Sequence, residues 1–226
     1  MTNASNEHPY NDPQAIAAAV HPSAIQERLQ AHDQAIYQPG PATRQAAVAI
    51  ILRESHTGAT SDDPEILFIK RADKNGDPWS GHMAFPGGHR ESSDLDLRAA
   101  AARETHEEIG LDLRGIAQYL GPVDQQRASP RGRELDMLIE PHVFQLTAEA
   151  ECTLNYEVAD VVWAPLSLLM GNSLHGTIEW PMAGTPTIFN GYRLSERHFV
   201  WGLTYRMLKS FFQIMHPTWQ PPAEIE

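Results

Sequence analysis

Residues 86–111 read PGGHRESSDLDLRAAAARETHEEIGL. A Pro-Gly-Gly turn opens this stretch, and the residues after it predict a helix over 94–109 that ends at Gly110. The alanines at 99–102 favour helix strongly. On a wheel of about 100° per residue, carboxylates collect on one face and apolar side chains on the other. We therefore expect this helix to pack on the domain through one face and to present acid on the other.

The acidic face carries Glu104, Glu107 and Glu108. Like charges three and four residues apart destabilise a helix slightly, and the helix dipole disfavours anions near its carboxyl end. A divalent cation reverses both effects, and clustered carboxylate oxygens suit Mg²⁺ or Mn²⁺. Arg103 lies beside Glu107 on the wheel and is predicted to form an ion pair with it. The alternative that needs no ligand is a solvated acidic face.

The opposite face of this helix is predicted to be its packing face. It carries Leu95, Ala99, Ala102 and Ile109, which we expect to lie against a sheet. His106 falls on the same side, so a packed or half-buried histidine is expected there rather than a metal ligand.

Composition excludes several classes of protein. The chain has 226 residues, enough for one large domain or one domain with an extra arm. Its formal net charge of −12 argues against binding nucleic-acid polymers or anionic membranes, which takes clustered lysine and arginine. Cys152 is the only cysteine, which excludes an intramolecular disulfide and a thiolate zinc site. Apolar runs are too short to span a bilayer and no export signal is recognised, so a cytoplasmic protein is expected.

Strands and helices mix along the chain without strict βαβ order, which predicts a mixed sheet covered by helices. Residues 172–192 are predicted to be turn-rich. The predicted strands are 46–52, 65–71, 82–88, 116–123, 134–146 and 156–163, and the predicted helices are 22–36, 94–109, 165–170 and 195–214. We expect a polar tail and helical arm at 1–40, one domain at 41–216 and a C-terminal tail at 217–226.

The opening stretch resembles the signature of the Nudix hydrolases, G-x5-E-x7-R-E-U-x-E-E-x-G-U, in which U is apolar. The positions that match in order are Gly88, Arg103, Glu104, Glu107, Glu108, Gly110 and Leu111. Asp94 stands where glutamate is usual, and Thr105 takes an apolar position. Eight residues rather than seven separate Asp94 from Arg103, as is usual in the branch that resembles coenzyme A pyrophosphatases.

The resemblance to that branch covers about 44–215. The similar segments are LFIKRA (67–72), GDPWSGHMAFPGG (76–88), EVADVVWAPLSLL (157–169) and FVWGLTYRML (199–208). Where the branch has arginine and glutamine in an R-x3-G-Q pattern, this chain has Asp77 and His82. The resemblance implies the α/β fold class, as a Nudix α/β/α sandwich with a mixed sheet between helices plus an N-terminal helical arm.

The resemblance also implies a hydrolase that uses Mg²⁺ or Mn²⁺. Glu104, Glu107 and Glu108 are then the metal ligands, with the backbone carbonyl of Gly88 as a further oxygen. Arg103 orients one of the carboxylates, and Glu107, Glu108 and Arg103 are the predicted catalytic residues. The general base is either a glutamate of this helix or an acid from a later loop.

Four further residues are candidates for contact with the substrate. Arg71 is a candidate phosphate ligand, and His82 and His89 flank the turn. Glu157 is the candidate for an extra metal ligand or for the base. The alternative for each is a loop or surface side chain without such a role.

Aromatic and cationic residues outside the signature give two weaker expectations. Trp79 and Phe85 are candidates for stacking on a base, although Phe85 is expected in the core, as is Trp201. RASPRGR (127–133) is predicted to be a loop that either covers the substrate or is simply solvated.

Three functions are left open. The first is hydrolysis of the pyrophosphate bond in a nucleoside diphosphate linked to another group, with coenzyme A or its thioesters as the first guess. The second uses ADP-ribose, another nucleotide sugar or a nucleoside triphosphate. The third, from a different class, is a Nudix-fold module that binds its ligand without turnover. The N-terminal arm packs either on its own domain or on a second subunit, so a homodimer is also left open.

Overall fold

The computed structural model describes residues 12–55, 63–77, 79–128, 136–182 and 185–224. The predicted loop at 127–133 lies outside these ranges from residue 129 onward. Strands in the described ranges form two sheets, one central and one near the C-terminal helix.

Within those ranges, the central sheet has eight strands. They are β1 (Arg44–Arg53), β2 (Glu65–Arg71), β3 (Met83–Ala84), β4 (Gly87–His89), β5 (Ala117–Pro122), β6 (Gln126–Ala128), β7 (Met137–Leu146) and β8 (Val158–Pro165). The main path is β3-β2-β1-β7-β5, while β4 pairs with β1, β6 with β7 and β8 with β2. β1 and β7 run parallel and the other pairs are antiparallel, so the sheet is mixed, as predicted.

The predicted strand over 82–88 is divided into β3 and β4. Pro86 lies between them, and proline has no N–H to donate to a strand ladder. The division matters for the site because it places a sharp change of direction directly before Gly87 and Gly88.

Helices cover both faces of the central sheet. They are α1 (Pro13–Val20), α2 (Pro22–Ala31), α3 (Leu97–Ile109), α4 (Leu113–Ile116), α5 (Leu166–Met170) and α6 (Gly202–Met215). Side chains alternate along β1: Ile50 and Leu52 join the core that includes α1, α2 and α6, whereas Ala49 and Ile51 join the core that includes α3. This arrangement confirms the predicted α/β/α sandwich. Among the described residues, no helix combines the length and apolarity needed to cross a membrane.

The N-terminal arm contains two helices: the helix predicted over 22–36 begins at Pro22 as expected but ends at Ala31, and α1 precedes it. The side chain of Asp12 caps α1 and that of His21 caps α2, and both helices begin with proline. Ile25 and Leu29 are buried in the same core as the sheet and α6. The arm therefore packs against its own domain.

A second sheet lies where the sequence predicted turns and the start of a helix. It consists of β9 (His175–Met182), β10 (Thr185–Ser195) and β11 (His198–Trp201), paired antiparallel in the order β11-β10-β9. The turn-rich prediction for 172–192 is wrong for 175–182 and 185–192, because Gly176, Pro181, Pro186 and Gly191 lie within paired strands. The helix predicted over 195–214 begins later, at Gly202, because β11 occupies the preceding residues.

The predicted C-terminal tail also contributes to the core. The Trp219 side chain is 1% exposed, and its Nε1 donates a hydrogen bond to the Met170 carbonyl oxygen over 2.9 Å. The tail therefore joins α5 to the end of α6.

Candidate active site

The turn before α3 brings two glycines against the acidic face of that helix. The Gly87 N–H donates to Glu108 Oε2 over 2.9 Å, and Gly87 has φ +153°, a conformation that favours glycine. A Cβ added at Gly88 would lie 2.5 Å from Glu104 Oε1, too close for a side chain. Both glycines therefore let the β4 backbone approach the carboxylates of α3 closely.

The boundaries of α3 differ at one end from the prediction. The helix begins at Leu97 rather than 94, because the Asp96 side chain accepts from the Ala99 N–H over 2.7 Å as the N-cap. It ends where predicted, with Gly110 in the left-handed conformation at φ +77°. Leu95 is 85% exposed and His106 is exposed, so the predicted packing of these two residues is wrong.

The buried face of α3 is rotated relative to the prediction. Its buried residues are Ala100, Ala101, Ala102, Thr105, Glu108 and Ile109. Glu108 therefore lies inside the site, only 3% exposed, whereas Glu107 faces solvent. The close approach of an alanine-rich face to β1 is what carries Glu108 inward.

Arg103 connects the helix to the loop before it. Its Nε and Nη2 donate to the two carboxylate oxygens of Asp94, each over 3.0 Å. Nη1 donates to Glu104 Oε1 and to Glu107 Oε2, each over 3.1 Å. Nη2 also donates to the His89 carbonyl oxygen over 2.9 Å. The predicted ion pair with Glu107 is present, and the bidentate pair with Asp94 fixes the guanidinium plane.

The electrostatics of the site centre on Glu108. Burial raises the pKa of its carboxyl from the ordinary 4.5 to about 7, because the charged form loses hydration. The Gly87 N–H and the Arg71 charge oppose this rise, while the charges of Glu104 and Glu157 add to it. Arg71, at the end of β2, and Glu157, in the turn before β8, therefore act on the same carboxylate as Glu104.

The donor set of the site fits a hard divalent cation. Burial also raises the pKa of Glu104, and the charge of Glu107 adds to this rise, so added positive charge would be favourable there. In the present arrangement Arg103 bridges Glu104 and Glu107, and the acids, cysteines and histidines of the described residues do not converge in threes as metal ligands. The predicted ligands Glu104, Glu107, Glu108 and Gly88 are thus neighbours, and their joint coordination stays a prediction.

Arg71 lies at the end of β2 and has one donor left over. Its Nη2 donates to Asp77 Oδ2 over 2.8 Å, whereas its buried Nε finds no acceptor among the described residues. Asp77, which stands where the branch has arginine, therefore holds the Arg71 side chain beside the site.

The remaining predicted substrate residues are placed differently from one another. The His82 ring packs 4.6 Å from the Trp201 ring, and burial lowers its pKa, as does the Arg71 charge. The His89 side chain is exposed, and its contribution to the site is the carbonyl that accepts from Arg103. Glu157 is about a third exposed and lies 3.8 Å from Lys74 Nζ.

The aromatic predictions have mixed outcomes. Phe85 is in the core, stacked on Phe68 at 5.2 Å, as expected for one of its two alternatives. Trp201, expected in the core, is only half-buried and contacts Trp180 at 6.0 Å. Trp180 was not among the residues predicted from the sequence to lie near the site. The signal that could have found it is the period-two alternation of apolar residues within 175–182, which is typical of a strand.

Comparison with known proteins identifies the family. A family model described as NUDIX domain matches residues 43–181, more than half of the chain. The solved structure of a MutT/nudix family protein from Enterococcus faecalis covers 94% of this chain and 74% of its own, with TM-score 0.50 and 13% identity, and supports the fold alone.

Curated relatives agree with this assignment. The uncharacterised Nudix hydrolase NudL of Enterobacter sp. is 31% identical over 74% of this chain and 80% of its own length. The mitochondrial coenzyme A diphosphatase NUDT8 of Homo sapiens is 28% identical over 70% of this chain and 66% of its own. The chain spans 44% and 58% of the lengths of two further relatives, from Schizosaccharomyces pombe and Arabidopsis thaliana. The predicted resemblance is confirmed at the level of the family: the chain belongs to the NUDIX domain family.

Proposed function

We propose that the chain hydrolyses the pyrophosphate bond of a nucleoside diphosphate linked to another group, with Mg²⁺ or Mn²⁺ as cofactor. The observation that carries this proposal is the position of Glu108. It is a buried carboxylate that accepts from the Gly87 N–H, and its pKa responds to the charges of Glu104, Arg71 and Glu157. Burial disfavours the charged form of such a carboxylate unless a cation binds it, and a carboxylate with a raised pKa is also a candidate for proton transfer.

In the proposed mechanism Glu104, Glu107 and Glu108 hold the metal. When bound, the ion supplies positive charge that screens the diphosphate and promotes ionisation of water. Gly88 keeps the Glu104 carboxylate close to the turn, since no side chain fits between them. Glu157 and Glu108 are the two candidates for the general base, because both lie beside the cation site and neither accepts a hydrogen bond from Arg103.

Arg103 has a positioning role in this proposal. Its hydrogen bonds to Asp94 and to the His89 carbonyl fix the guanidinium, and the fixed guanidinium then holds Glu104 and Glu107. With a metal bound, Glu104 and Glu107 would be among its ligands, and the bidentate pair between Arg103 and Asp94 would keep the preceding loop in place. The unused Nε of Arg71 is directed to the substrate phosphates.

Coenzyme A or one of its thioesters is the first substrate to test. The name of the human relative, a coenzyme A diphosphatase, supports this choice. Asp77 and His82 depart from the pattern of that branch, and Asp77 is paired with Arg71 at 2.8 Å. ADP-ribose, nucleotide sugars and nucleoside triphosphates are therefore kept as alternatives.

The test is a panel assay in Mg²⁺ and in Mn²⁺ with coenzyme A, acetyl-coenzyme A, ADP-ribose and ATP, in which products are identified by mass. We expect 3′,5′-ADP from the coenzyme A compounds. AMP from ADP-ribose without turnover of coenzyme A would contradict the first choice but not the reaction class. Binding of these compounds without any turnover would instead support the non-catalytic module.

A further inference from the structure

The second sheet has one face in the core and one face of aromatic rings. Tyr192 and Val200 are both fully buried and belong to the core face. Strand register places the other side chains: Trp180 pairs with Thr187, and Trp201 with Gly191, so both lie on the face that also carries Phe189. We name Trp180, Phe189 and Trp201, together with His82, the aromatic platform.

Trp201 is the centre of the aromatic platform. Its ring centroid lies 4.5 Å from that of Phe189, 4.6 Å from that of His82 and 6.0 Å from that of Trp180. Trp180 is 44% exposed, and Phe189 and Trp201 are half-buried. The platform therefore offers flat ring surface to solvent, which is unusual for side chains whose ordinary place is the core.

The platform is continuous with the proposed diphosphate site through β2 and β3. The Arg71 N–H donates to the His82 carbonyl oxygen over 3.0 Å. The Arg71 guanidinium and the His82 ring therefore extend from hydrogen-bonded backbone segments. The Arg71 charge acts both on His82 and on Glu108. Gly87, whose N–H donates to Glu108, is five positions after His82, and five steps of extended chain span at most about 18 Å. The aromatic platform and the acidic cluster on α3 are thus close enough for one nucleotide-sized molecule to contact both.

We propose that the aromatic platform binds the nucleobase of the substrate by stacking, with Trp180 as its exposed ring. This inference rests on the proposed function, since it assigns one part of the same substrate. A nucleobase is favoured over an aliphatic group because it is flat, polarisable and joined through ribose to the phosphates that Arg71 and the metal would hold. Stacking on aromatic rings tolerates any base, so the platform sets affinity for nucleotides rather than choice among bases.

The test is calorimetric binding of ADP in Mg²⁺ to the full chain carrying Glu107→Gln, with and without changes at Trp180. Trp180→Leu should weaken ADP binding by about tenfold, as loss of a stacked base predicts. Trp180→Phe, which keeps a ring, should recover most of the affinity. Ile188→Ala is the matched control, because Ile188 is 48% exposed on the same hairpin but one residue out of phase with Phe189. Ribose 5-phosphate, which has no base, should bind all four proteins equally.

The outcomes that test base stacking differ from those that test the proposed function. Equal ADP affinity in the Trp180→Leu and Ile188→Ala proteins, with unchanged circular dichroism, would overturn it. A fall in oligomeric mass on Trp180→Leu without a change in ADP affinity would also overturn it, and would make the platform a subunit interface. Absence of turnover by the unmodified chain would refute the proposed function, whereas ADP binding that depends on Trp180 would still stand.

Discussion

The acidic helix α3 and the sheet β9–β11 are held in place by opposite kinds of contact. Around α3 the contacts are charged and directional, with Arg103 joining Asp94, Glu104 and Glu107 at 3.0–3.1 Å. In the aromatic platform on β9–β11 the contacts are between rings, whose centroids lie 4.5–6.3 Å apart. Directional bonds fix atoms to fractions of an ångström, whereas ring contacts tolerate sliding.

We infer from this difference that the two regions have separate roles. Reaction chemistry needs a fixed geometry, so changes in α3 should lower kcat. Recognition of a flat group tolerates adjustment, so changes in the hairpin should raise KM. This division of roles would be wrong if a change in α3 altered only KM.

Glu108→Gln should have the largest effect. We expect kcat to fall by at least ~100-fold, because the change removes a metal ligand or the base from the centre of the site. Glu107→Gln should cause a similar fall. Glu27→Gln, on the exposed face of α2, is the control and should keep full turnover. Steady-state rates at saturating Mg²⁺ measure the effect, and unchanged turnover in the Glu108→Gln protein would refute its assignment.

Arg103→Lys should lower kcat by roughly 10- to 100-fold with little change in KM. Lysine keeps the charge but cannot make the bidentate pair with Asp94 while also reaching Glu104 and Glu107. Arg114→Lys is the matched control, since that side chain is 80% exposed on α4. Full turnover in the Arg103→Lys protein would show that the charge, and not the fixed geometry, is what matters.

Gly88→Ala should lower kcat about tenfold while the fold persists. The added Cβ would meet the Glu104 carboxylate at 2.5 Å, and that flexible side-chain end can move aside. A shift of about 1 Å in a catalytic group is enough to reduce the rate by one or two orders of magnitude. Gly115→Ala, where a Cβ meets nothing within 4 Å, is the control for kinetics and for thermal stability.

A smaller effect concerns stability. Without divalent metal, the free energy of unfolding should decrease as pH rises from 4.5 to about 7, because the folded Glu108 carboxyl retains a proton that the unfolded one has lost. Thermal denaturation across this range measures the decrease. Glu108→Gln should make that part of the curve flatter, and Mg²⁺ should restore stability chiefly at the higher pH. A stability that rises through the same range in the unmodified chain but not in Glu108→Gln would contradict this.

The sequence predicted the helix α3 better than the sheet β9–β11, for a physical reason. The signals in α3 are local: a Gly-Gly turn, a run of alanines and Gly110 at the end. The burial of Glu108 was missed because a wheel for an isolated helix does not show which face the sheet covers.

The hairpin depends on contacts that the local pattern does not contain. Gly176, Pro181, Pro186 and Gly191 resemble turn residues until the strands pair. The Trp201 ring is half-buried, and one of the rings packed on it is that of His82, from a distant segment. The bidentate pair between Asp94 and Arg103 was likewise not predicted, since it crosses the loop that precedes α3.

The most direct test of the central claim is calorimetric titration of the metal-free protein with Mn²⁺ and Mg²⁺. The account predicts binding that weakens by at least ~10-fold in each of Glu104→Gln, Glu107→Gln and Glu108→Gln, and that is unchanged in Glu27→Gln. Metal affinity that is the same in all of these proteins would contradict the account and leave α3 as an ordinary helix with an acidic surface.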